Sequence, residues 1–206
     1  MTSTDLAARP AALEVPLSEP RVDTARVEYL VNELLIALGE DPTRDGLVGT
    51  PKRVADSWTS FLSPGPADAA CFPEATLVGQ MVLVDGVSVW SKCEHHLLPM
   101  NLKVTAAYLP GEKVLGLSKF GRIAQHYAGR LQVQERFTAQ VADHLAATVG
   151  SQDIAVHVEG LHLCMSMRGV RMEDARTTTL QARGRFESGL VLAQQFLAIA
   201  TRHRAA

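Results

Sequence analysis

The stretch from Asp153 to Met167 constrains the fold most. It alternates with the period of a β-strand, which turns successive side chains to opposite faces. Leu161, Leu163, Met165 and Met167 then share one face, and His162, Cys164, Ser166 and Arg168 share the other. The first set suits a core; the second is a row of reactive and polar groups. Gly160 within this strand reads as a candidate bulge. Met81 to Trp90, rich in valine, is a further strand, as are Leu102 to Leu109 and, after the Pro110-Gly111 turn, Val114 to Leu117. Thr177 to Phe186 is the last strand.

Helical spacing occupies other parts of the chain. Val27, Leu30, Val31, Leu34, Leu35 and Leu38 recur at helical steps, with Gly39 as a stop and DPTRDG as a turn. Thr50 caps a second helix with Pro51 in its first turn, and its apolar face carries Val54, Ala55, Trp58, Phe61 and Leu62. Ser118 caps a helix bearing Phe120, Ile123, Ala124 and Tyr127. Gln132 to Val149 forms another, closed by Gly150, and Ser188 to Thr201 a terminal one. Strands and helices are segregated rather than strictly alternating. That favours an α+β fold, an antiparallel sheet with helices on one face, preceded by a helical region. Residues 1–20 read as a mobile tail, 21–66 as the N-terminal helical region and 67–206 as the sheet domain.

Hydrophobic residues make up 47% of the chain, enough for a packed core. Lys plus Arg total 20 against 22 for Asp plus Glu, so no basic excess points to nucleic acid or anionic lipid. No apolar run approaches the ~20 residues of a membrane helix, and the N-terminus lacks the pattern of a secretory signal. Three cysteines do not make a disulfide framework. The expectation is a soluble, cytoplasmic protein with reduced thiols.

The densest chemistry lies in Ser91-Lys92-Cys93-Glu94-His95-His96-Leu97-Leu98-Pro99. Thiolate and imidazole are good zinc ligands, and C-x-x-H lets one turn present both to one ion. That spacing alone is a weak signal, which Cys164 strengthens. Cys93, His96 and Cys164 are the candidate ligands of Zn2+. Three ligands leave a position for water; His95 or His162 as a fourth would make the site structural. Cys71, in a Pro-flanked stretch, reads as a bystander.

Five separated segments in order resemble the GTP cyclohydrolase I family: GEDPTRDGL, TPKRVA, CEHHLLP, GLSKFGRIAQHYAGRLQVQER and HLCMSMRGVR, across about residues 25 to 187. The resemblance implies the tunnelling fold (T-fold), in which sheets of neighbouring subunits join into a barrel. It also implies a homo-oligomer, typically a decamer, with active sites at subunit interfaces. The implied reaction opens the guanine imidazole ring of GTP to give 7,8-dihydroneopterin triphosphate and formate, the entry to tetrahydrofolate and pterin biosynthesis. Cys93, His96 and Cys164 match the family's zinc ligands. His162 matches the histidine that handles protons during ring opening, and His95 a second active-site histidine. Glu135 matches the guanine anchor, with Gln134 beside it among the substrate contacts. Ser118, Lys119, Arg122 and Arg168 match phosphate and ribose contacts, and Arg53 is assigned to the substrate as well.

Two positions depart from the family pattern. Asp56 stands where a basic residue aimed at a neighbouring subunit's triphosphate is expected, and a reversed charge there should weaken binding. Leu102 stands where the family has Gly, which suggests an altered backbone turn. The alternative they support is a catalytically altered paralogue, with a changed phosphate preference or a structural zinc, in a specialised pterin or deazapurine pathway.

Overall fold

The computed structural model describes residues 22–67, 70–73, 79–111 and 113–202; the expected tail of residues 1–20 lies outside them. The chain divides into two compact units, Met1–Leu62 and Ser63–Ala206. In the first, α1 (Thr24–Ala37) starts where the Asp23 carboxylate accepts the Arg26 N–H at 2.9 Å, and Gly39 follows it at φ 83°. The second helix, α2 (Thr50–Phe61), has Gly49 rather than Thr50 at its N-cap. Thr50 is already helical, and its hydroxyl instead accepts from Arg53 Nη2 at 2.8 Å. The two helices are joined by Thr24 and Thr59, whose hydroxyls lie 3.0 Å apart.

The second unit is a mixed α+β structure around a five-stranded sheet. Its strands are β2 (Val82–Cys93), β3 (Pro99–Tyr108), β5 (Leu131–Gln132), β6 (Ile154–His162) and β7 (Thr177–Ala182), in the order β5-β2-β3-β6-β7. All pairs are antiparallel except the short β2–β5 contact. A separate two-stranded ladder pairs β1 (Cys71–Pro73) with β4 (Lys113–Leu115). Cys71 thus belongs to a strand, and its thiol donates to the Thr148 carbonyl at 3.4 Å.

Alternation along the strands sorts the core. Leu102, Val104, Ala106 and Tyr108 of β3, with Ile154, Val156 and Val158 of β6, meet α3 (Leu117–Ala128) and α4 (Gln134–Val149) on one face. Phe137, Val141, Leu145 and Val149 recur every four residues of α4 and are buried, so this helix lays one stripe on the sheet. Gly150 closes it in the left-handed conformation at φ 66°. The expected one-sided helix layer needs correction. Phe196 of α7 (Leu190–Ala200) packs with Ala107 and Ala155, whose side chains point to the opposite face. These two alanines are small enough to leave room for the rings of Phe196 and Phe186, which meet edge to face at 5.9 Å.

Three further expectations change. The strand through Cys164 stops at His162, and α5 (Leu163–Ser166) takes over as a single helical turn closed by the Met167 N–H on the Leu163 carbonyl. Gly160 pairs in register with both Leu102 and Thr177, so it is not a bulge; the irregularity lies in β2, between Val84 and Val87, where Gly86 has φ 76°. Leu102 lies inside this regular register and is fully buried, so no altered turn forms there. Among the described residues, no helix is long and apolar enough to cross a membrane.

Candidate active site

The site is built where β2 ends. After Cys93 the chain makes a hairpin turn: the Leu97 N–H reaches the Cys93 carbonyl at 2.8 Å, and the Cys93 N–H reaches the Leu98 carbonyl at 2.9 Å. Leu97 adopts φ 57°, a conformation uncommon for a non-glycine residue. This turn brings His96 Nδ1 to 3.7 Å from Cys93 Sγ. The helical turn of α5 brings in the third group. The ligand atoms of Cys93, His96 and Cys164 all lie within 4.8 Å of one another. Around a tetrahedral ion with bonds of about 2.0–2.3 Å, neighbouring ligand atoms are roughly 3.4–3.8 Å apart. The Cys93–His96 separation already meets that, and two thiols with one imidazole are a zinc-type donor set. The residues therefore fit a zinc ion.

The electrostatics agree. Burial pushes the Cys164 thiol up from its ordinary value, and the hydrogen bond with Cys93 pushes it further. The Arg168 guanidinium offsets this only in part, and a divalent ion bound by the thiol would reverse the direction. Among the described residues, the group that converges on one point holds three ligands, not four. His95 is nearby, with Nδ1 3.9 Å from Cys93 Sγ, and like His96 is exposed, but it is not one of the converging group.

A cleft of about 240 Å³ opens beside this cluster. Its walls include His95, Glu135, His162, Met100, Met165 and Thr177 as well as the three ligands. Glu135 projects from the first turn of α4 and is exposed. The α4 N-terminus has no side-chain cap, and its first residues, Gln134 and Glu135, line the cleft. Burial lowers the His162 imidazole below its ordinary value, and the Glu135 carboxylate partly offsets this. His162 Nε2 lies 2.7 Å from Gln134 Oε1. Gln134 also lines the cleft, but it is 1% exposed and its amide nitrogen is bonded within the fold.

One network escaped the sequence reading. Arg136 pairs with Glu94, the residue after the first cysteine, and also donates to Gln132 Oε1 and the Leu131 carbonyl. It ties the hairpin turn to the start of α4. The guanidinium holds the Glu94 carboxyl below its usual range. The anchoring strand β5 has only two residues, too few for any period to register.

The expected phosphate contacts are placed otherwise. The far end of α3 touches β2, where Ser91 Oγ donates to the Ala128 carbonyl at 2.9 Å. Ser118 and Lys119 lie at the opposite end, ten residues and roughly 15 Å away at the helical rise. Neither they nor Arg122 line the cleft. Arg168 stays close, its Nε donating to the Cys164 carbonyl at 3.1 Å. Arg53 belongs to the other unit and is exposed; Asp56 there pairs with Lys52 at 2.8 Å.

Comparison with known proteins bears on this geometry. The profile of the family described as GTP cyclohydrolase I matches residues 27–201. GTP cyclohydrolase 1 of Deinococcus radiodurans is 43% identical over 188 residues, covering 87% of this chain and 83% of the relative. GTP cyclohydrolase 1 of Hyperthermus butylicus is 44% identical over 185 residues, covering 89% and 94%. A solved structure, the archaeosine synthase QueF-Like in the apo form, aligns at TM-score 0.43 and 17% identity over 50% of this chain and 93% of that one, too distant to bear on the fold. With its match along nearly the whole described length, the chain belongs to the GTP cyclohydrolase I family.

Proposed function

We propose that the cleft hydrolyses GTP at the guanine imidazole ring, yielding 7,8-dihydroneopterin triphosphate and formate with Zn2+ as cofactor. The observation that carries the reading is the single cleft shared by the Cys93–His96–Cys164 group, His162 and Glu135. Bound there, zinc would supply Lewis acidity and an acidified water. The protein residues do the rest. Glu135 accepts the ring and amino N–H groups of guanine, a donor pair that adenine does not offer. The uncapped start of α4 carries a partial positive charge that suits the guanine carbonyl oxygen. His162 takes and returns the protons that ring opening requires, an imidazole task near neutral pH. His95 stands at the rim beside the substrate.

A cleft of about 240 Å³ is below the ~300–1,000 Å³ of sites that enclose a drug-sized ligand. It suits a purine base, leaving the ribose and triphosphate to groups outside it. Arg168 is near enough to take part. Ser118, Lys119 and Arg122 are not, within one chain, and serve a neighbouring subunit's cleft in a T-fold homo-oligomer, for which a decamer is the family's assembly. Arg53 is assigned to the same triphosphate end. The product would feed tetrahydrofolate or pterin synthesis in the cytoplasm.

Zinc-loaded protein incubated with GTP should release formate and, after oxidation, a fluorescent pterin. Absence of formate from assembled, zinc-bound protein would overturn the reading. Glu135→Ala should raise KM for GTP by about 10- to 100-fold, the loss of ~1.5–3 kcal/mol from a charge-assisted pair, with zinc content unchanged. Unchanged steady-state kinetics would remove Glu135 from the guanine contact.

A further inference from the structure

We propose that Gln134 is a positioning residue that fixes His162 in the tautomer protonated at Nε2, leaving Nδ1 as the nitrogen that exchanges protons in the cleft. The inference rests on the reading of His162 as the proton-handling group. The neighbours of the Gln134 amide dictate its orientation. Gln134 Nε2 lies 3.0 Å from the Val158 carbonyl, 3.0 Å from the Thr177 carbonyl and 3.1 Å from Thr179 Oγ1. Carbonyl oxygens only accept, so the –NH2 end must face them. Turning the amide over would set an oxygen against two carbonyl oxygens in a buried place.

The threonines fix the direction further. Thr138 Oγ1 donates to the Gln134 backbone carbonyl at 2.8 Å. Its proton is thereby spent, so in the 2.6 Å contact between Thr138 and Thr179 hydroxyls the Thr179 hydroxyl donates. Thr179 Oγ1 is then free to share one of the two Gln134 Nε2 hydrogens, and the directions form a closed loop without a conflicting hydrogen. The amide oxygen is left facing His162 Nε2 at 2.7 Å. An amide oxygen cannot donate, so His162 Nε2 must carry the hydrogen. A neutral imidazole has one N–H, so its lone pair lies on Nδ1.

The arrangement is also confined sterically. A Cβ at Gly160 would lie 2.9 Å from His162 Nε2 and closer still to Gln134 Oε1. Glycine there gives the amide its place against the strand.

Solid-state nitrogen spectroscopy of full-length, zinc-loaded protein carrying 15N-histidine, at about pH 8, reads the tautomer directly, with His162 assigned by the signals lost in His162→Asn. The expected result is a protonated Nε2 and an unprotonated Nδ1. A proton on Nδ1 in the wild-type protein overturns the proposal, whatever any variant does. In Gln134→Met, which keeps the length but loses the acceptor, the His162 signals should become a tautomer mixture. Formate release should then fall in kcat by roughly 10²- to 10⁴-fold, the range spanned by general acid–base catalysis and by a mis-set tautomer, while KM for GTP stays within about threefold. An unchanged tautomer in the variant, or a raised KM at unchanged kcat, overturns the proposal; the latter would make Gln134 a substrate contact. If the wild-type protein releases no formate, the cyclohydrolase reading fails, and the wild-type tautomer still decides the role of Gln134.

Discussion

Cys164→Ser should lose zinc affinity by more than about 100-fold and with it formate release from GTP. Removing groups that merely support a zinc ligand already costs about 10- to 100-fold. A ligand itself must cost more, which is upward of ~3 kcal/mol. Serine keeps the shape but offers a hydroxyl that stays protonated, and only Cys93 and His96 of the converging group remain. Cys71→Ser is the matching control. Its thiol donates to the Thr148 carbonyl, a bond a serine hydroxyl can also make, so zinc content and turnover should be unchanged. Metal analysis after dialysis, with formate measured on the same samples, checks both. Cys164→Ser that retains stoichiometric zinc and wild-type turnover would remove Cys164 from the site.

Cys164 also shows what a linear sequence carries and what it does not. Residue chemistry singled out Cys93, His96, His162 and Cys164, because thiols and imidazoles have few reasons to gather. Alternation then assigned His162 and Cys164 to one face of a continuous strand. The strand in fact stops at His162, and α5 folds Cys164 back by hydrogen bonds, among them Ser166 Oγ to the His162 carbonyl at 3.2 Å. Met165 and Met167 extend the apolar alternation past the point where strand pairing ends. A pattern of period two cannot mark that point, since partner strand β7 starts only at Thr177. Long amphipathic elements such as α4 were legible because their burial follows from their own spacing. Gln134 was not. It begins a helix beside Glu135 in a polar tripeptide, and nothing local separates the exposed glutamate from the buried glutamine. Its burial depends on the missing side chain at Gly160 and on carbonyls of β6 and β7, all distant in the chain. The expected phosphate contacts do not gather within one chain for another reason: the length of α3 holds Ser118 and Lys119 away from the cleft that its own far end supports.

Gly160→Ala should lower stability by about 2–4 kcal/mol, or roughly 5–15 °C in Tm for a chain of this size, and reduce turnover with it. The backbone does not require glycine here, because Gly160 is outside the positive-φ set that includes Gly86 and Gly150. The requirement is space. A methyl group would fall onto Gln134 Oε1 and come within 2.9 Å of His162 Nε2 and 3.0 Å of Leu102 Cδ2. The tip of Leu102 can rotate aside. The Gln134 amide cannot move cheaply, because its two N–H groups serve three acceptors and moving it would leave buried ones unpaired. Gly160 is also paired on both sides, so β6 cannot retreat without disturbing β3 and β7. Gly150→Ala is a useful contrast: its Cβ would meet nothing within 4 Å, and only the left-handed φ of 66° costs anything, about 1 kcal/mol. A double-mutant cycle separates crowding from any general intolerance of the strand. In a Gln134→Ala background the amide that the new methyl would strike is gone, so Gly160→Ala should cost at least ~1 kcal/mol less by denaturant unfolding than it does in the wild-type chain. Equal costs in the two backgrounds would mean that Gly160 is not there to seat Gln134.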